Sequence, residues 1–377
     1  MQNMKQKIIE SSAAISLALF LLLIFQWAHE AGDKEVEIFE SHSPEILADR
    51  LDDFEQRFGE ALIRIPTGVF VQSIYFENPV VFNVTGYLWQ KWGSDLPSHL
   101  EPGFVLPERI NTAGSYTEEL VYQQELADGS TLFGWYFETN VRQSMDYSEF
   151  PFDHKRLEIR ILPKQFQSQA VLTPDFDAYV LEDFSDSTFG VDERLILDGY
   201  SLTDTFFDYI KVSYDTDFGF PDYVGIKDFP ELVFHIDLQR NIANAFVIYL
   251  FPIIVVLILL FGTMLTVTND PLKRERMDFS MNMVIASCSA LFFILILSHV
   301  ELRSRFIAAP IVYIEYFYII SYVSIFYVAL TSYLFLEHTP SRFSRLLAYE
   351  DNLYAKAFFW PMLLAIVNLF TFLIIFE

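Results

Sequence analysis

Residues 273–303 read KRERMDFSMNMVIASCSALFFILILSHVELR and join a charged start to a helix-length apolar run. At about 100° per residue, side chains three or four positions apart lie on one side of a helix. On a helix formed by this segment, one stripe of side chains is polar at its first two positions and mostly apolar further along. It consists of Asp278, Asn282, Ile285, Ser289, Phe292, Ile296 and His299.

The polar start of this stripe indicates contact with water. An uncompensated carboxylate in hydrocarbon costs about 2.5 kcal/mol or more, so Asp278 and Asn282 are poor lipid-facing residues. A ring of such helices would place carboxylates at one end and Ile285 and Phe292 in the middle, as in a charge filter followed by a hydrophobic gate. The segment therefore predicts a pore-lining helix. An ordinary buried helix whose polar side chains bond to neighbouring helices is the alternative.

Hydrophobicity and negative charge are both high in this chain but lie in different parts of it. Its 377 residues are 52% hydrophobic, with a mean hydropathy of +0.28 and a formal net charge of −25. Residues 30–240 contain 40 acidic and 15 basic residues, which accounts for the whole net charge. This excess argues against a nucleic-acid partner and favours accumulation of cations, including divalent ones, near the surface.

The sequence offers no support for enzymatic chemistry. It contains no phosphate-cradling glycine loop, no HExxH and no GxSxG, so we expect neither catalysis nor a cofactor. Modulation by divalent cations such as calcium remains open, and no metal ligands can be assigned. The single cysteine, Cys288, cannot form an intrachain disulfide.

Residues 1–31 resemble a secretory signal peptide, because Lys5 and Lys7 precede an apolar run from residue 13 to residue 28. An uncleaved anchor is the alternative. Residues 32–62 form an N-terminal extension, and their apolar spacing over 43–60 predicts a short amphipathic helix.

Residues 63–240 alternate between apolar and polar side chains in short runs separated by turn residues. Asp128-Gly129 between two such runs is a strong hairpin signal. About 170 residues of short strands predict an all-β sandwich.

Residues 241–377 contain four apolar runs, each long enough to cross about 30 Å of hydrocarbon. Basic residues in the first link (Lys273, Arg274, Arg276) and the third (Arg342, Arg345) predict that both links are cytoplasmic. The chain is then a multi-pass protein of the cell (inner) membrane with its β domain outside the cytoplasm. The predicted helices span residues 243–265, 277–300, 306–336 and 355–376.

Four short motifs resemble a known family when taken in order. They are Phe150-Pro151-Phe152-Asp153, the LQR ending at Arg240, the proline Pro252 in the first membrane helix, and Arg274-Glu275-Arg276-Met277. Together they resemble the prokaryotic branch of the pentameric ligand-gated ion channels, the Cys-loop receptor superfamily. The cysteines that bracket the first motif in animal members are absent.

The resemblance implies an extracellular immunoglobulin-like sandwich followed by four membrane helices, with five identical copies around a pore. It also implies a cation-selective channel opened by an extracellular ligand or ion condition. Glu275 stands at the selectivity glutamate and Ile285 at the central gate residue, whereas Asp278 departs from the usual Thr, Ser or Gln. A single pore-lining helix cannot enclose a channel, so the mechanism itself requires an oligomer.

Three groups of functional residues follow. The pore residues are Glu275, Asp278, Asn282 and Ser289, with a gate of Ile285, Phe292 and Ile296. The coupling residues, at the expected membrane boundary, are Phe150, Pro151, Phe152, Asp153, Arg240, Glu301 and Arg303. The ligand site would be an aromatic cage between subunits, suited to a cationic amine, drawn from Tyr87, Trp89, Tyr136, Phe176, Tyr179, Phe206, Tyr214, Phe218, Phe220 and Tyr223.

The partners expected are further copies of the chain, membrane lipid, permeant monovalent cations and an unidentified small-molecule, proton or divalent ligand. His235 and His299 are the side chains that could sense pH, and Glu315 is either functional or solvated at the outer interface. A membrane-anchored extracellular sensor without ion conduction is the alternative function. A secondary transporter would show internal repeats or broken helices, and we find neither in the sequence.

Overall fold

The computed structural model describes residues 2–31, 43–58, 62–110, 116–180, 188–197, 199–220, 228–276, 279–306, 310–336 and 349–375. The chain divides into two compact units. The helical unit comprises Met1–Lys34, Asp146–Asp153 and Asn241–Glu377. The β unit comprises Glu35–Met145 and His154–Arg240.

The β unit contains two sheets. One has the order β4-β6-β2-β1-β8, with β5 also paired to β6, and the other has the order β3-β7-β10-β9. All pairs are antiparallel except β1 with β8. The strands are β1 Ile63–Asn78, β2 Val81–Trp92, β3 Phe104–Val105, β4 Arg109–Ile110, β5 Thr117–Glu125, β6 Thr131–Arg142, β7 His154–Pro163, β8 Ala170–Pro174, β9 Tyr200–Val212 and β10 Phe229–Arg240.

One hydrophobic core joins the two sheets. Val84 and Leu88 of β2 are buried in the same cluster as Leu157 and Ile159 of β7. Successive side chains of a strand point to opposite faces, so alternate positions reach this core. The predicted β-sandwich is confirmed.

The turn between β5 and β6 has the geometry that its sequence predicts. Gly129 adopts a left-handed φ of +85°, and Asp128 accepts a hydrogen bond from the Ser130 N–H at 2.9 Å. Glycine takes this conformation without steric cost, and aspartate commonly accepts such bonds in turns.

The N-terminal extension forms helix α2, Pro44–Phe58. Its apolar side packs on the β unit through Leu47 and Leu51, which belong to the buried core. The Phe54 ring meets Phe229 edge to face, with centroids 5.6 Å apart. The predicted amphipathic helix is therefore confirmed.

The helical unit contains α1 Gln2–Ala31, α3 Ile242–Leu265, α4 Pro271–Arg276, α5 Met281–Arg305, α6 Tyr313–Leu336 and α7 Leu353–Ile375. Residues Phe246–Leu250 form a π-helical turn within α3. Five of the described helices, α1, α3, α5, α6 and α7, are long and apolar enough to cross a membrane. These five helices indicate a multi-pass membrane protein.

Two helices start four or more residues later than predicted, and α5 ends at Arg305, not at 300. Helix α5 begins at Met281, not 277, because the Ser280 hydroxyl accepts a hydrogen bond from the Met283 N–H at 3.2 Å and caps the helix. Helix α6 begins at Tyr313, not 306, because Glu315, its third residue, bonds back to the residue before the helix, as in a capping box. There the Glu315 carboxylate accepts a bond from the Val312 N–H at 2.9 Å.

Candidate pore, coupling and ligand sites

Helix α5 has one packed face and one uncovered face. The packed face carries Val284, Cys288, Leu291, Leu295 and Leu302, all buried. The uncovered face carries the predicted stripe, namely Asn282, Ile285, Ser289, Phe292 and Ile296. The three apolar members of the stripe keep 49%, 43% and 36% of their surface exposed, in that order. Asn282, Ile285, Ser289 and Ile296 are thus left exposed by the described part of the chain, whereas the Phe292 ring also lies 5.4 Å from that of Tyr322 in α6.

The two predicted carboxylates precede this helix. Glu275 is exposed in the short helix α4, whose last turn also carries Lys273, Arg274 and Arg276. Asp278 lies outside the described residues. The role of either carboxylate in selectivity stays a prediction.

The end of α5 is tied to α6 through a buried carboxylate. Glu315 is 3% exposed and lies 3.3 Å from Arg303 Nη1 and 3.4 Å from His299 Nε2. The His299 ring stacks on Tyr318 at 4.9 Å, and its Nδ1 is 3.1 Å from the Tyr322 hydroxyl. Glu315 is therefore a paired internal group, and its solvated alternative does not hold.

Residues 146–153 link β6 to β7 and pack within the helical unit. The Ser148 carbonyl accepts a hydrogen bond from the Tyr313 N–H at 2.7 Å, where α6 begins. The Phe150 ring lies 4.8 Å from Phe306 and 5.5 Å from Tyr249 between centroids. This turn, which includes the cis Phe150-Pro151 bond and Phe152, contacts residues of α3 and α6 and the residue that follows α5.

The predicted charged coupling residues lie as follows. Asp153 is buried, and the Arg240 guanidinium lies 4.4 Å from the centre of the Tyr200 ring. Glu301 pairs with Arg305 one turn along α5 at 3.4 Å. Charge pairing among Asp153, Arg240 and Arg303 stays a prediction.

The predicted cage residues fall into separate groups in the β unit. Tyr87 and Tyr136 meet edge to face across β2 and β6, with centroids 5.5 Å apart. Trp89 lies 5.5 Å from Tyr179 and donates its indole N–H to Asp175 at 2.9 Å. The two groups occupy different positions on the sheet that contains β2.

Other predicted cage residues are partly or wholly internal. Phe206 is 5% exposed and stacks on His235 with centroids 4.7 Å apart. Phe176, in a short 3-10 turn, packs against the core beside Phe189 and Phe207. These rings contribute to packing in the single chain.

The hairpin after β9 presents the most accessible aromatic side chains of the predicted set. Phe218 and Phe220 expose 45% and 42% of their surface. Tyr214 and Phe218 meet edge to face at 5.2 Å, and Phe166, after β7, also meets Phe218 edge to face at 5.4 Å. Tyr223 lies outside the described residues. Phe166 was not predicted, although its position directly after a strand end was visible in the sequence.

Beside these rings lies an ionic cluster that the sequence analysis did not identify. Arg160 of β7 pairs with Glu108 and with Glu231 of β10, and Glu231 is buried. The Tyr214 hydroxyl donates to Glu231 at 2.8 Å and lies 3.4 Å from Arg160. We call Glu108, Arg160, Tyr214 and Glu231 the Arg160 cluster. It holds two carboxylates and one guanidinium.

Burial sets the protonation properties of this cluster. Burial raises the pKa of the Glu108 carboxyl, and the opposing attraction of Arg160 does not cancel this effect. Burial and then the hydrogen bond to Glu231 raise the pKa of Tyr214 to about 12. Tyr214 is therefore a neutral hydrogen-bond donor near pH 7.

Among the residues that the structure describes, no group of three or more His, Cys, Asp or Glu side chains is placed to hold a metal ion.

No protein-family model matches the chain, and no curated protein sequence matches it significantly.

Proposed function

We propose that the chain is one subunit of a homopentameric, cation-selective channel of the pentameric ligand-gated kind. In this proposal the β unit, an immunoglobulin-like ligand-binding domain, lies outside the cytoplasm of the cell membrane. The observation that carries the proposal is the uncovered stripe of α5, which joins Asn282 and Ser289 to large apolar residues in a membrane helix.

Contact with lipid does not account for this stripe. Asn282 and Ser289 would present hydrogen-bonding groups to hydrocarbon, which is unfavourable without partners. Neighbouring copies of α5 around a central axis would instead place both polar side chains against water. Ile285, Phe292 and Ile296 would then form apolar constrictions that exclude water when narrow and conduct when the ring expands. Glu275, at the cytoplasmic mouth, would favour cations.

The turn at 146–153 supplies a route from ligand binding to this gate. It is covalently continuous with β6 and β7, and it packs on Phe306, the residue after α5. A ligand that prefers one arrangement of the β unit would shift the pore between two states by its difference in affinity.

The ligand that best fits the β unit is a small cation such as a primary amine. The Arg160 cluster carries one more negative than positive charge, and Phe166, Tyr214 and Phe218 offer ring faces that attract cations. Neighbouring subunits would complete the cage with Tyr87, Trp89 and Tyr136.

The test is the reversal potential of purified protein in planar bilayers under asymmetric KCl, over a range of pH, calcium and primary-amine concentrations. We expect a cation-directed reversal potential that moves toward zero in Glu275→Ala. A matched Glu301→Ala variant, which removes an exposed carboxylate near the other end of α5, should change it less. An anion-directed reversal potential would contradict the proposed selectivity.

A membrane-anchored sensor without a pore is the second candidate, supported by the two-unit architecture alone. Such a sensor needs no polar stripe. Replacement of Asn282 and Ser289 by leucine would leave its signalling intact, whereas the same changes should reduce current through a channel.

A further inference from the structure

The N-terminal helix α1 lies beside α7 over most of its length. Near its start, the Lys5 ammonium is 3.5 Å from the Glu350 carboxylate, just before α7. Two turns further along α1, the Ser12 hydroxyl donates to the Ala357 carbonyl at 2.5 Å. Beyond the middle, the Asn368 amide donates to the Leu19 carbonyl at 3.1 Å. Residue numbers increase in the same direction along α1 and α7, so the two helices are parallel.

The other end of α1 is fixed by Trp27. Its indole N–H donates to the Tyr313 hydroxyl at 2.8 Å. Its ring lies 6.3 Å from Phe246 of α3, 6.1 Å from Phe317 of α6 and 6.2 Å from Phe152 of the 146–153 turn. The end of α1 thus meets the start of α3, the start of α6 and that turn.

These contacts agree with one membrane topology. Four successive crossings by α3, α5, α6 and α7 alternate in direction, so α7 runs opposite to α3. Because α1 is parallel to α7 and ends beside Phe246, it ends on the side of the membrane where α3 begins. The chain segment between α1 and α3, which contains the β unit, therefore leaves and re-enters the membrane on that side. Lys5 and Lys7 lie on the opposite side of the membrane. The positive-inside rule identifies that side as the cytoplasm.

The remaining surface of α1 suits lipid. This helix is long and apolar enough to cross a membrane, and little of its surface is buried. The exposed side chains include Ile15, Leu17, Phe20, Leu21 and Phe25. The apolar run of residues 13–28 also exceeds the roughly 7–15 residues typical of the apolar region in a cleaved signal peptide.

We infer that α1 is retained in the mature protein as a fifth membrane-spanning helix, seated on α7 and facing lipid on its other side, with the N-terminus in the cytoplasm. Hydrogen bonds of Ser12 and Asn368 fix the position of α1 against α7, and Trp27 completes the aromatic packing around the 146–153 turn. This inference holds whether or not the protein conducts ions.

The first test is the intact mass of the unmodified protein purified from membranes, which requires no variant to fold. We expect a mass that includes residues 2–31; the 377 residues together weigh 43.9 kDa. A mature chain beginning near residue 32 would overturn the inference.

The second test locates the helix by disulfide cross-linking in a Cys288→Ala background. Ser12→Cys with Ala357→Cys should form a disulfide in membranes, detected as a linked pair of peptides after proteolysis. Leu17→Cys with Ala357→Cys is the matched control, since Leu17 is 59% exposed on another side of α1. Equal cross-linking of the two pairs, or linkage of the control pair alone, would overturn the proposed seat.

Discussion

Phe150 and Phe306 pack ring on ring, with centroids 4.8 Å apart and planes inclined by 55°. Phe150 belongs to the turn between β6 and β7, and Phe306 follows the last residue of α5. Both side chains are buried, at 1% and 6% exposure, so the contact excludes water. A displacement of the turn therefore changes the packing at the end of the proposed pore helix.

Weakening this contact should uncouple the gate. Phe306→Leu keeps an apolar side chain but loses the ring contact, so we expect smaller currents after steps in pH, calcium or a primary amine that open the wild type. The Ile285→Ser, Phe306→Leu double variant is the control, because its leak current reports pore assembly independently of coupling. An undiminished response in Phe306→Leu would show that coupling follows another route.

Removing the cation of the Arg160 cluster should destabilise the β unit. Arg160→Met leaves Glu231 buried without its ion-pair partner, and breaking such a pair costs about 3–5 kcal/mol. Thermal unfolding in detergent measures the change. Lys164→Met, which breaks an exposed pair with Glu101, should leave the Tm nearly unchanged.

A compensating substitution separates charge from shape at this site. Adding Glu231→Gln to Arg160→Met removes the uncompensated carboxylate, so the double variant should be more stable than Arg160→Met alone. Equal or lower stability of the double variant would mean that Arg160 acts mainly through packing.

The raised pKa of Glu108 predicts a pH dependence of stability. Just above its ordinary value of 4.5, the folded chain holds a proton at Glu108 that the unfolded chain has already released. The stabilisation of the folded state by this proton is therefore lost as pH rises through the raised pKa. Glu108→Gln should make the Tm fall less as pH rises through that window.

Glu101 provides a control of opposite sign. The hydrogen bond from Lys164 lowers the pKa of Glu101, so its contribution is present above 4.5 and is lost as pH falls. Glu101→Gln should therefore shift the pH dependence in the other direction. Identical pH profiles for Glu108→Gln and the wild type would contradict the assigned burial effect.

Periodicity predicted the elements that bury one face, such as β2 and β7, more clearly than β10, which is buried on both faces over most of its length. Alternation in β2 and β7 identified strands, and the apolar run of α5 identified a membrane helix with an uncovered stripe. The helix ends were less predictable. The cap at Ser280 depends on one side-chain bond, and the start of α6 depends on the bond from the Val312 N–H to Glu315.

Contacts between distant segments could not be read from periodicity. Glu108, Arg160, Tyr214 and Glu231 come from four separate parts of the chain. The pairing of β7 with β10 places Arg160 near Glu231, but Glu108 precedes β4, which belongs to the other sheet. The position of α1 against α7 could not be predicted from periodicity either, because the hydrogen bond between Asn368 and Leu19 joins residues near opposite ends of the sequence.

In the proposed channel, the exposed stripe of α5 lines a water-filled pore. The most direct measurement is the resting current of Ile285→Ser in planar bilayers, compared with Phe326→Ser, which replaces an even more exposed apolar residue on α6. If Ile285 forms the gate, its polar replacement lets water enter the constriction and produces a cation leak that wild type and Phe326→Ser lack. Silence of Ile285→Ser in membranes that contain the assembled protein would contradict the pore.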